Sequence, residues 1–104
     1  MPASIISIAD RFRPLSIADL LGDGKVATAF EFIDSSSQRF TAELIRICEI
    51  PAPPFKEHER GRYFAARFNE LGLDDVHTDS EGNVIGLYRG EREQPLIVLS
   101  AHLD

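Results

Sequence analysis

A single cysteine, Cys48, stands in this 104-residue sequence. One thiol cannot form an internal disulfide, so the chain suits a reducing compartment and a cytoplasmic location is expected. Cys48 itself reads as a small buried hydrophobe on a helix. Basic charge is also scarce, with 11 Lys and Arg against 17 Asp and Glu and a net charge of -6. That balance excludes a nucleic-acid partner and an anionic membrane surface, because both require clustered positive charge. Long apolar runs are missing as well. None approaches the roughly 20 residues that span a bilayer, so no membrane association is expected. No basic leader with a long apolar stretch behind it opens the sequence, so no secretory signal is expected. There is no internal repeat and no low-complexity tract.

What remains is the composition of an ordinary globular protein, 43% hydrophobic and 27% charged, with seven Phe and two Tyr to fill a core. The length fits one small domain or part of a larger one. Residues 1–39 read as a lead-in with a first helix, and 40–104 as the start of an α/β domain. Ser16 to Leu21 predicts a helical turn that Gly22-Asp23-Gly24 breaks. Val26, Phe30 and Ile33 share a helical face, and Ser35-Ser36-Ser37 interrupts it. Phe40, Leu44 and Ile47 predict a helix over about 38–48, so helix is expected through most of 25–48.

Pro51-Ala52-Pro53-Pro54 forbids helix and imposes a stiff extended link. The next helix is predicted over 56–71, with Phe64, Ala65, Phe68 and Leu71 on its packed face. Its charges, Arg60, Arg62, Arg67 and Glu70 among them, read as its solvated side. Gly72 is its expected C-terminal cap. Strands are expected near 75–79, 83–89 and 96–102. The last, Leu96-Ile97-Val98-Leu99-Ser100-Ala101, is nearly all apolar and reads as a central strand covered on both faces.

His-x-Asp triplets occur at His77-Thr78-Asp79 and at His102-Leu103-Asp104. The first follows the short acidic stretch Leu73-Asp74-Asp75-Val76 and reads as a wet edge. The second follows the apolar run, and open α/β sheets form their sites beyond the carboxyl ends of such strands. Residues two apart in an extended chain point the same way, so His102 and Asp104 can face one pocket. A neutral imidazole binds zinc, and a carboxylate on its other ring N–H fixes tautomer and ring angle. On that reading His102 is the metal ligand and Asp104 the catalytic-site residue that orients it. On the other, His102 merely ends a strand and Asp104 is solvated. From these residues alone both readings stand.

A longer string adds to this. Ile47-Cys48-Glu49-Ile50-Pro51-Ala52-Pro53-Pro54-Phe55-Lys56-Glu57 resembles the opening of the M20-type zinc metallopeptidases, the aminoacylase, carboxypeptidase and peptidase T-like group. Phe64 to Leu73 looks like that family's next helix, and Asp79-Ser80-Glu81-Gly82-Asn83-Val84-Ile85-Gly86 like its D-x-x-G-N-V-I-G hairpin. Leu99 to Asp104 is similar to its first metal motif, usually followed by Thr-Val. The resemblance covers about residues 40–104, in order, and is more specific as a set than in any one piece. The M28 aminopeptidases share the His-x-Asp logic, but the Ile-Pro-Ala-Pro-Pro segment favours M20.

The resemblance implies a three-layer α/β domain with helices on a mixed sheet, of which these residues would form the N-terminal, incomplete part. It implies two zinc ions, with His102 as a ligand and Asp104 as its orienting partner. The bridging aspartate, the general-base glutamate, further acidic ligands and a distal histidine would then lie beyond residue 104. The whole protein would hydrolyse the amide bond of a peptide or an N-acyl amino acid, as a homodimer, while these 104 residues alone would be inactive. The rival expectations are a non-catalytic α/β binding module and a catalytically dead relative of the peptidases.

Overall fold

The computed structural model describes residues 14–104, and those residues form two compact units, one ending at Phe40 and one running from Thr41 to Asp104. Expectations placed on residues 1–13 lie outside the described residues. Among the described residues the architecture is mixed, four helices and a two-stranded antiparallel sheet.

Helix α1 (Ile17–Gly22) begins in a capping box. The Ser16 hydroxyl accepts from the Asp19 N–H at 3.1 Å, and the Asp19 carboxylate accepts from the Ser16 N–H at 2.8 Å. Two donors that the first turn would leave empty are thereby met. Asp23 ends α1 and starts α2 (Gly24–Ser35), accepting from the Lys25 N–H at 2.7 Å. Helix α3 (Ser37–Glu49) follows after the single residue Ser36, so the helical stretch expected over 25–48 is two helices with the break at the serines. Phe32 and Phe40 meet edge to face at 6.5 Å, and the Arg39 guanidinium covers both rings.

Helix α4 (His58–Glu70) starts two residues later than the sequence suggests. The preceding turn holds Lys56 by its N–H to the Pro53 carbonyl, and Glu57 uses its carboxylate on the Phe55 N–H, 2.7 Å away. Gly72 closes α4 as expected. The Leu73 N–H reaches the Phe68 carbonyl and the Gly72 N–H the Asn69 carbonyl, both at 3.0 Å. This closure needs the left-handed φ of +76° that Gly72 adopts without a Cβ penalty.

Strands β1 (Asp74–Thr78) and β2 (Val84–Leu87) pair antiparallel, with Asp74 opposite Leu87 and Thr78 opposite Val84. A bulge lies between Asp74 and His77, and Asp75 within it has φ of +51°. The turn between the strands is built on Asp79. Its Oδ1 accepts from the Glu81 and Asn83 N–H groups and its Oδ2 from the Asn83 side-chain amide, all at 2.9 Å. These bonds, the Asn83 side chain foremost, hold the Asp79 carboxyl below the usual carboxylate range. Helix α4 packs on both strands.

Four expectations are corrected. First, residues 96–102 form no strand. A strand exists through its ladder, and the backbone groups of this run have no hydrogen-bond partner among the described residues. Apolarity states what the run would bury, not what it would pair with, and Leu96, Ile97, Val98 and Leu99 are all exposed, Leu99 by 93%. The sheet formed by the described residues is the antiparallel β1–β2 pair. Second, Leu71 is exposed, because it sits at the C-cap where the helix has ended. Third, Cys48 lies on α3 but is exposed. Fourth, the aromatic residues do not make a sealed interior, since Gly61 is the sole buried residue among those described. No helix among the described residues is long and apolar enough to cross a membrane.

Candidate metal site

The His102–Asp104 segment is placed by the residue between its two polar side chains. Leu103 is half-buried, while every other residue from Tyr88 to Asp104 is exposed. It lies near Gly61 of α4, where an added Cβ would meet Leu103 Cδ1 at 3.8 Å and Val84 Cγ2 at 3.4 Å. The Leu103 carbonyl accepts a hydrogen bond from Arg60 Nη1 at 2.6 Å. On either side of Leu103, His102 and Asp104 are exposed.

The two side chains meet, with His102 Nδ1 3.3 Å from Asp104 Oδ1. The His102 ring is 94% exposed and the Asp104 side chain 41%. Nε2 of His102 has no hydrogen-bond partner among the described residues. A carboxylate on one ring nitrogen with the other nitrogen open is the donor arrangement a zinc ligand requires, so the pair fits one corner of a zinc site. Two side chains do not complete one. Among the described residues no group of three or more His, Cys, Asp or Glu is placed to hold a metal ion.

The other His-x-Asp triplet is occupied otherwise. His77 lies exposed in β1 with Nδ1 2.7 Å from the Asp75 carbonyl, and Asp79 is spent on its turn. His58 opens α4 and is exposed. An open groove of about 910 Å³ runs along Phe68, Leu73, Leu87, Tyr88, Leu96 and Leu99. Neither His102 nor Asp104 lines it, so it is a separate feature from the candidate site.

Sequence reasoning missed the polar ties of α4. Arg60 and Arg67 are not on a solvated side; both are half-buried. Arg60 donates through Nε and Nη2 to the Ile50 carbonyl at 3.1 and 2.6 Å, as well as to Leu103. Glu43 of α3 accepts from Tyr63 Oη at 2.7 Å and Arg67 Nε at 2.8 Å, and Arg67 also bonds Glu70. The Tyr63 and then the Arg67 hydrogen bonds hold the Glu43 carboxyl below its ordinary range, and the same contact with Glu43 pushes Tyr63 up. The signal was there in the spacing: 60, 63, 64, 67 and 68 make one helical stripe, in which Arg60 and Arg67 share a face with Tyr63, Phe64 and Phe68.

No protein-family model matches this sequence, and no curated protein matches it.

Proposed function

We propose that the His102–Asp104 segment carries the first metal motif of a zinc-dependent hydrolase acting on the amide bond of a peptide or an N-acyl amino acid. The observation that supports this best is the pairing of His102 Nδ1 with Asp104 Oδ1, with Nε2 left open. The ordered likeness of residues 40–104 to the M20-type metallopeptidases supports it independently of that distance. A three-layer catalytic domain, a homodimer and a cytoplasmic setting belong to the same proposal.

The roles divide simply. His102 binds through Nε2. Asp104, 3.3 Å from Nδ1, would fix the ring's tautomer and direction. Zinc, when bound, supplies Lewis acidity toward water and toward the amide carbonyl. The bridging carboxylate, the proton-moving glutamate and the remaining ligands are assigned by the resemblance to residues beyond Asp104. A second reading, a non-catalytic interaction module, is favoured by the exposed Leu96–Leu99 run.

Hydrolysis assays on the polypeptide that carries this sequence in the cell separate the two. A panel of dipeptides and N-acyl amino acids should be cleaved in a reaction that a chelator stops and zinc restores. Absence of hydrolysis across the panel by zinc-loaded protein would favour the interaction module.

A further inference from the structure

The single guanidinium of Arg60 joins two distant pieces of chain. It spans the Ile50 carbonyl, at the entrance to the proline-rich link, and the Leu103 carbonyl, between the two residues of the candidate site. From Tyr88 onward Leu103 alone is even half-buried, so its side chain beside Gly61 and its carbonyl on Arg60 are what fix this stretch to α4. An arginine fork can serve two carbonyls at once, whereas a lysine offers one compact charge.

We propose that Arg60 is the positioning residue of the His102–Asp104 pair: by pinning the Leu103 carbonyl it sets the Leu103–Asp104 peptide plane, at the end of which the Asp104 side chain projects, and so brings the Asp104 carboxylate to His102 Nδ1. The proposal rests on the reading of His102 as a ligand for its functional meaning, but its geometry does not involve a metal. Arg60 touches neither substrate nor metal and acts through the backbone alone. It also ties the site to Ile50, so displacement of the proline-rich link would be felt at His102.

The ring tautomer of His102 reads this out directly. In zinc-free protein at one fixed, mildly alkaline pH, long-range nitrogen-15 NMR correlations should show the Nδ1–H tautomer of His102 in excess. Asp104→Ala should abolish that excess by removing the acceptor. Arg60→Ala should abolish it too, with Asp104 still present, while His58 and His77 keep their wild-type ring signals and report an intact α4 and β1. Arg60→Lys, which keeps the charge, should shift the ratio part of the way. A wild-type His102 ratio in both Arg60 variants, or no Nδ1–H excess in the parent, overturns the proposal. Should Arg60→Ala disturb His77 as well, the Arg60→Lys ratio decides. Zinc added to the parent separates the two ideas. Tautomer control by Arg60 without zinc contact at Nε2 leaves the positioning role standing and removes the hydrolase reading. Zinc contact with a tautomer indifferent to Arg60 does the reverse.

Discussion

Gly86 of β2 passes directly against the ring of Phe68 on α4, where a Cβ on Gly86 would lie 2.9 Å from Phe68 Cδ2 and 2.9 Å from Leu73 Cδ1. The helix rests on the hairpin at this point because one strand residue has no side chain. Gly86→Ala should therefore destabilise the Thr41–Asp104 unit by about 1–3 kcal/mol, the usual cost of overpacking. Gly61→Ala should act oppositely. Its Cβ would meet Val84 Cγ2 at 3.4 Å, an ordinary contact, and alanine in place of glycine stabilises a compatible site by about 0.4–1 kcal/mol. Urea titrations of the two variants check the opposite signs.

Acid should loosen the α3–α4 tie. Glu43 has a folded pKa below its ordinary 4.5, so its contribution is present above that value and is lost as pH falls through the lower, folded one. Tyr63 is raised above 10.0, so its contribution is complete below that pH and disappears as pH climbs through the raised value. Thermal melts should show both limbs, and Glu43→Gln should flatten them. Limbs unchanged in Glu43→Gln would place the pH dependence elsewhere.

The run from Leu96 to Leu99 should drive self-association at raised concentration, because exposed apolar backbone without a ladder is a template for pairing. Sedimentation of the 104-residue chain should show oligomers that the double variant Ile97→Lys, Leu99→Lys abolishes. A monomer with strongly protected amides over 96–99 would show instead that this run is covered.

The helices, the Gly72 cap and the hairpin were legible because each is set by local spacing: Gly72 after a helical stripe, Ser-Glu-Gly between short strands, serines at the α2–α3 break. That residues 96–102 form no strand was not legible, since a strand depends on a partner and not on its own apolarity. The candidate site was half legible. The His-x-Asp pattern gives residue types and a shared side, and the structure adds the 3.3 Å contact between the two side chains. Arg60 stayed hidden, because a charged helix residue reads as solvated until the carbonyls it serves, 10 and 43 residues away in sequence, are seen.

The 104 residues by themselves should not hydrolyse peptides, since two-metal amide hydrolysis requires a bridging carboxylate and a general base besides His102. In the whole protein Asp104→Ala should weaken metal affinity or activity by roughly 10- to 100-fold, the usual effect of removing a ligand's orienting partner. Robust chelator-sensitive cleavage by the 104-residue chain, or full activity in Asp104→Ala, would contradict these roles.

The zinc content of the whole protein, compared between the parent and His102→Ala after dialysis against metal-free buffer, tests the central claim most directly. The parent should carry two zinc ions per chain, and His102→Ala should lose at least one of them and amide hydrolysis with it. Equal zinc content and an unchanged rate in His102→Ala would contradict the assignment of His102 as a metal ligand.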